Sequence, residues 1–340
     1  MSATASSVLT SAVWRGGMLT DEHLEVPPAP RSDAEPGRLA WIDLCAPTHE
    51  QLAQLAQLGI DEHALEDALA PGERPKAVRY DGYTFTSVYA VRLDGHNASR
   101  LDASRISTLS LPGCLVTIRR DDSFDMTAVV RRWAEDADLV HFGVPGLLHG
   151  LLDTVVDQQF DVLQQLDDEL ESLTDVLFAD NPDLDGLQRR MFATRRDLVR
   201  LRRVVTPMRD VVATLMRETM LATVRGRLRR DGTGTSLMSY YEDLNDHVLR
   251  AAEWCDDLRD LVASVFDTNL SLNDKRMNEI MKKLTSVAAI LAVPTLISGC
   301  YGMNVIFPGV NTVAGFAVAA TLIVVGVVVL FIVFRRKDWL

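Results

Sequence analysis

Residues 284–334 read LTSVAAILAVPTLISGCYGMNVIFPGVNTVAGFAVAATLIVVGVVVLFIVF, 51 residues without one Asp, Glu, Lys, Arg or His. The rest of the 340-residue chain carries all 82 charged side chains, 35 basic and 47 acidic. A membrane-crossing helix needs about 20 predominantly apolar residues, so the stretch holds two spans, 284–301 and 313–334, joined by residues 302–312. Lys275, Arg276, Lys282 and Lys283 precede the first span, Arg335, Arg336 and Lys337 follow the second, and the joining loop has no basic residue. Positive charge gathers on the cytoplasmic side of a membrane. Both termini are therefore expected in the cytoplasm and the loop outside, in a multi-pass protein of the cell (inner) membrane. Tyr301, Phe307 and Trp339 fall at interfacial depths, where aromatic rings anchor a span.

Upstream of the first span, the helical pattern runs unbroken from residue 236 to residue 301, roughly 100 Å at 1.5 Å per residue. It predicts one helix that stands outside the bilayer as a stalk and then enters it. Steps of three or four from Asp267 give Leu270, Asp274, Asn278, Met281, Leu284, Ala288, Ala292, Thr295 and Gly299 on one helix face. Repeated about a symmetry axis, that face would present acidic rings, an amide ring, an apolar constriction and then small residues, which are ingredients of cation selectivity and gating. Periodicity equally fits a coiled-coil seam with small residues for close packing. Two spans cannot enclose an aqueous path, so conduction would require an oligomer.

The remainder reads as water-soluble. Residues 1–38 are expected to be a flexible lead-in, with four prolines in residues 25–38. Residues 39–144 form an α/β domain: a short strand at 39–44, a helix opened by the Thr48/Gln51 capping-box spacing and stopped by Gly59, a second helix at 61–70, and strands at 80–93, 106–111 and 114–119 around the turn Pro112-Gly113. Residues 145–235 predict an antiparallel helical hairpin, an acidic helix at 151–178 facing a basic one at 184–229 that carries Arg189, Arg190, Arg195 and Arg196. The domain plan is completed by 236–301, 302–312, 313–334 and a basic tail at 335–340.

The net charge of −12 argues against a nucleic-acid partner and fits a surface that attracts cations. Cys45, Cys114, Cys255 and Cys300 are isolated and suggest neither a zinc site nor a disulfide framework. The first twelve residues lack the pattern of a cleavable signal peptide, which again puts the soluble part in the cytoplasm. The seven histidines are scattered, and no nucleophile–base pairing or phosphate-cradling loop is present, so no enzyme is expected.

Tyr301-Gly302-Met303-Asn304, at the outer end of the first of two C-terminal spans, resembles the signature of the CorA family of magnesium and cobalt ion channels. The likeness continues through Asn278-Glu279-Ile280-Met281-Lys282-Lys283-Leu284-Thr285, Pro294-Thr295-Leu296-Ile297-Ser298-Gly299 and Arg335-Arg336-Lys337-Asp338-Trp339-Leu340, and more weakly through Trp41-Ile42-Asp43-Leu44 and Arg74-Pro75-Lys76. The resemblance implies a funnel-shaped homopentamer: a cytoplasmic α/β domain, a long stalk helix that lines the pore, and an outer ring of second spans. Gly302, Met303 and Asn304 would form the selectivity filter, with the Asn304 amide oxygen meeting a largely hydrated Mg²⁺. That ion sheds water reluctantly and takes oxygen ligands. Met281 and Leu284 would gate, because Ala292 stands where relatives place a larger apolar residue. The outer loop, residues 305–312, lacks the carboxylates common in relatives. Asp267 and Asp94 would bind regulatory Mg²⁺ between subunits, the ion offsetting carboxylate repulsion in a closed state. The alternatives are a Zn²⁺ transporter of the same superfamily, in which Ile usually replaces Met303, and a membrane-tethered coiled-coil scaffold without transport.

Overall fold

Strand β3 (Arg38–Cys45) lies inside the protein's sheet, and almost every side chain in it is buried. The computed structural model describes residues 8–20, 22, 24, 37–57, 59–70, 72–94, 101–179, 184–224, 233–303 and 312–339. Besides β3 the sheet contains β1 (Val8–Arg15), β2 (Met18–Thr20), β4 (Lys76–Arg79), β5 (Thr84–Leu93), β6 (Leu101–Leu111) and β7 (Cys114–Arg119). Their spatial order is β2-β1-β3-β7-β6-β5-β4, antiparallel except for the parallel pair β3–β7.

Alternate side chains of a strand point to opposite faces, and here each face has its own core. Trp14, Leu39, Trp41, Val88, Ile106 and Leu115 face one cluster. Val13, Ala40, Ile42, Leu44, Phe85, Leu109 and Val116 face the other. Both faces being covered explains why β3 reads as a continuous apolar run rather than an alternating one. Helices α1 (His49–Gln57) and α2 (Glu62–Leu69) serve the second face, where Leu55, Ala64, Leu65 and Ala68 are buried. The Thr48/Gln51 capping box forms as the spacing predicts: the Thr48 amide donates to Gln51 Oε1 at 2.8 Å and the Gln51 amide to Thr48 Oγ1 at 3.2 Å.

The first face is covered by α3 (Met126–Glu135), α4 (Ala137–His141), α5 (Val144–Leu177), α7 (Met208–Val224) and the start of α8 (Thr233–Tyr301). Trp133 of α3 lies edge-on to Trp41 and Trp14, with centroids 5.1 and 6.0 Å away, and its indole N–H donates to the Leu147 carbonyl at 3.0 Å. Gly150 of α5 permits this approach, since a Cβ there would meet Trp133 Nε1 at 2.7 Å.

One ion pair is fully inside. Arg119 Nη2 lies 2.7 Å from Asp43 Oδ2, Arg119 Nε reaches both carboxylate oxygens at 3.2 Å, and Thr117 Oγ1 donates to Asp43 Oδ1 at 2.6 Å. Burial alone would push the guanidinium pKa down, but the Asp43 carboxylate, helped by Asp122 and Cys45, holds the pKa above its ordinary value. The Asp43 of the Trp41-Ile42-Asp43-Leu44 string thus clamps the parallel β3–β7 pair.

Order begins earlier than residue 39. β1 pairs antiparallel with β3 along its whole length, from Val8↔Cys45 to Arg15↔Arg38, and the hairpin with β2 turns at Gly16-Gly17, both with positive φ. The proline-rich residues 25–36 lie outside the described residues. The basic run also differs from the single helix expected at 184–229. It is α6 (Leu184–Val205) followed by α7, interrupted at Thr206-Pro207, because a proline has no N–H for the helix ladder and its ring clashes with the preceding turn. Charge complementarity between α5 and α6 is present at Arg190, whose Nε sits 3.0 Å from Glu169 Oε1.

The chain divides into two units, Met1–Ala263 and Ser264–Leu340. The second contains the rest of α8 and α9 (Val313–Arg336). Both helices are long and apolar enough to cross a membrane, and their most apolar windows are almost wholly unburied, unlike a soluble core helix.

Candidate functional site

The site is built on the membrane-length part of α8. One side of it packs on α9: Ser286 is fully buried and Ala289, Ile290, Val293, Pro294 and Ile297 are half-buried. Gly326 of α9 lies against it, and a Cβ there would sit 2.8 Å from Val293 Cγ1. Small residues at such a crossing let helix backbones approach in lipid, where apolar side chains gain nothing by leaving their solvent.

At the other end of α9, Asp338 adopts a left-handed φ of 53° and the Trp339 amide donates to the Phe334 carbonyl at 3.0 Å. The Phe334 and Trp339 rings stack with centroids 5.6 Å apart, the hydrophobic contact that accompanies such a helix stop. The single proton of the Ser286 hydroxyl is shared between the Lys283 carbonyl at 2.8 Å and the Trp339 carbonyl at 3.3 Å, which holds the C-terminal turn beside α8.

The other side of α8 has no neighbour within the described residues. Leu270, Asp274, Asn278, Met281, Leu284, Ala288, Ala292, Thr295 and Gly299 are all exposed. The larger apolar members are far from buried, Leu270 at 61%, Met281 at 52% and Leu284 at 62% of full exposure. The nine residues expected on one face therefore do share an open face, separate from the α9 contact.

Pro294 stands inside α8 and leaves its ladder position without a donor. Thr295 Oγ1 donates to the Leu291 carbonyl at 2.8 Å, so the hydroxyl proton is turned to the backbone and its lone pairs are left to accept from outside. Towards the end of α8 an open groove of about 850 Å³ is lined by Leu291, Ala292, Thr295, Leu296, Gly299 and Met303, among others.

Gly302 follows the last helical residue. Its amide donates to the Ser298 carbonyl at 2.9 Å, and a Cβ would stand 3.1 Å from that oxygen. Its backbone is outside the left-handed region, so the glycine serves a close approach to the helix end rather than a sharp reversal. Met303 is exposed. Asn304, to which the ion-selecting role was assigned, lies outside the described residues, as do residues 305–311.

Of the two carboxylates expected to sense Mg²⁺, Asp267 is exposed on α8 and Asp94 is half-buried just after β5. A separate set of possible metal ligands, Asp153, Asp157 and His247, comes together unannounced by any sequence motif. Its centre is already held by a cation of the protein: Arg132 contacts Asp153 through Nη2 and Asp157 through Nη1 at 2.9 Å. Sequence reasoning also missed Ser286 and Gly326. A glycine flanked by valines in a span was the available signal for Gly326, whereas nothing in the sequence marks Ser286.

Comparison with known proteins agrees with this architecture. Residues 36–336 match the family described as CorA-like Mg²⁺ transporter protein. The cobalt/magnesium transport protein CorA of Thermotoga maritima is 28% identical over 313 residues, spanning 88% of this chain and 83% of its own. The complete structure of the CorA magnesium transporter from Methanocaldococcus jannaschii superposes with a TM-score of 0.74 at 26% identity, covering 97% of this chain and 98% of that one. The ZntB cytoplasmic domain from Vibrio parahaemolyticus shares the fold, with a TM-score of 0.58 at 15% identity over 79% of this chain and 98% of that one. With residues 36–336 matched, from β3 to the end of α9, this protein belongs to the CorA-like Mg²⁺ transporter family.

Proposed function

We propose that the chain is one subunit of a homopentameric channel that carries Mg²⁺, with Co²⁺ and Ni²⁺ as further cargo, across the cell membrane. The observation that carries this reading is the open face of α8, which leaves four positions of the stalk and five of the span exposed, opposite a packing side for α9. Five such faces around an axis would close a path that two helices cannot enclose. The similarity to proteins named as cobalt/magnesium and magnesium transporters supports the choice of ion.

On this reading the path runs past Asp274 and Asn278 at the cytoplasm-facing end and the apolar levels of Met281 and Leu284 beyond them. A hydrophobic ring conducts only when wetted, so those levels act as the gate. Ala288, Ala292 and Gly299 leave room for water, and Thr295 offers its lone pairs to the hydration shell. At the outer mouth, a ring of Asn304 amide oxygens would accept hydrogen bonds from the waters of the hydrated ion. Mg²⁺ keeps its water at about 2.0–2.1 Å and exchanges it reluctantly, so neutral oxygens can select the hydrate without trapping it. Asp267 and Asp94 are the proposed regulatory carboxylates, bound Mg²⁺ favouring the closed state. Residues 39–144 and 145–235 would form the cytoplasmic part, residues 302–312 the outer loop, and both termini would be cytoplasmic.

A Zn²⁺ transporter is disfavoured by Met303, and the likeness to the ZntB domain is one of fold alone. A scaffold without transport has no use for Asn278 and Thr295 on an open face. Mg²⁺ uptake into proteoliposomes decides: Asn304→Ala should abolish selective uptake, and unchanged uptake would remove Asn304 as the filter.

A further inference from the structure

We infer that the cytoplasmic ends of α8 and α9 form a binding surface for the phosphate headgroup of an anionic phospholipid, with Lys282, Lys283, Arg335, Arg336 and Lys337 as its charged groups and Trp339 as its apolar wall. The inference rests on the membrane reading of residues 284–334.

Three observations within residues 264–340 carry it. First, the Ser286 hydroxyl lies between the Lys283 and Trp339 carbonyls, at 2.8 and 3.3 Å, so the basic end of α9 is fastened beside the basic turn of α8. Two clusters separated in sequence by the 51 uncharged residues become one surface. Second, all five basic side chains are exposed, and among the described residues none of them is paired with an acid. Asp338 is the single acidic side chain after Glu279, so the five basic side chains outnumber the acidic ones here by four. Like charges so gathered raise a local potential that draws in anions. Third, the surface adjoins the fully apolar part of both helices, and the stacked Phe334 and Trp339 rings stand at the same level. A ligand that fits all three carries an anionic head and an apolar tail. Free phosphate satisfies only the first two.

Trp339 supplies the probe, because the other tryptophans, Trp14, Trp41, Trp133 and Trp254, all belong to the 1–263 unit. The full-length protein is placed in vesicles of equimolar phosphatidylglycerol and phosphatidylcholine, with bromine on the acyl chains of one lipid or the other. Trp339→Phe gives the background from the remaining tryptophans. Brominated phosphatidylglycerol should quench Trp339 as though the site took it about five times as often as phosphatidylcholine, the preference of roughly one lysine or arginine at an anionic surface. High salt should erode that preference in the unmodified protein, and the combined variant K282Q/K283Q/R335Q/R336Q should abolish it. Equal quenching by the two lipids overturns the proposal while leaving the membrane reading in place. Quenching by neither lipid above the Trp339→Phe background overturns both.

Discussion

His149 should make the protein sensitive to acid in a calculable way. It lies on α5, 5% exposed, edge-on to Tyr240 and Tyr241 with centroids 5.3 Å from each. Its Nε2 is 3.0 Å from the Tyr240 carbonyl, which can only accept, so Nε2 carries the hydrogen. Nδ1 is buried without a partner, and protonating it would create a donor with nothing to receive it. Burial therefore depresses the pKa, to about 4 from an ordinary 6.5; the Tyr240 carbonyl, Asp136 and Asp243 oppose this, and Arg132 adds to it.

The sign follows from which state takes up the proton. Between pH 6.5 and 4 the unfolded chain binds a proton at this position and the folded chain does not, so stability falls as pH falls through that window. Above pH 6.5 the group contributes no pH dependence, and below 4 its loss is complete. The span corresponds to about 3 kcal/mol at roughly 1.36 kcal/mol per pKa unit. Chemical denaturation of the detergent-solubilised protein, followed by tryptophan fluorescence from about pH 7.5 to 4, measures it against His149→Phe. The carboxylates titrate in both proteins, so the difference isolates the imidazole. His149→Phe should be less pH-sensitive by about that amount, and parallel profiles would refute the reasoning.

Two other outcomes follow from named contacts. Asp43→Ala strands Arg119 inside the sheet and should cost about 3–5 kcal/mol, read by the same denaturation assay, with the parallel β3–β7 pair the first to lose amide protection in hydrogen exchange. Leu284→Asn replaces a proposed dewetting level with an amide, and should raise Mg²⁺ flux severalfold under closed-state conditions, measured with a trapped Mg²⁺-sensitive dye.

The spans were legible because lipid as a solvent imposes a compositional rule that needs no tertiary information, and the open face of α8 was legible because helical spacing fixes which residues share a side. The capping box at Thr48 and the turn at Gly113 are local chemistry and could be read likewise. β1 could not. Its residues are covered on both faces by elements far along the chain, so Val13 and Trp14 are adjacent yet both buried, and alternation disappears. Arg119 stayed hidden for a related reason, since its partner Asp43 is 76 residues away and only the parallel register unites them. Pro207 was visible in the basic helix, but the strength of the arginine pattern around it concealed the break. Ser286 matters through a carbonyl, Trp339 O, and backbone groups leave no trace in composition.

The claim that most needs a direct measurement is that the open side of α8 lines an aqueous path. With Cys300 changed to serine, single cysteines at positions 288, 292, 295 and 299, or at 289, 290, 293 and 297 on the side towards α9, can be treated with a charged thiol reagent during Mg²⁺ flux. The account predicts rapid modification and block at the first four positions and protection at the second four. Equal reactivity on both sides, or modification of the first four without loss of flux, would contradict it.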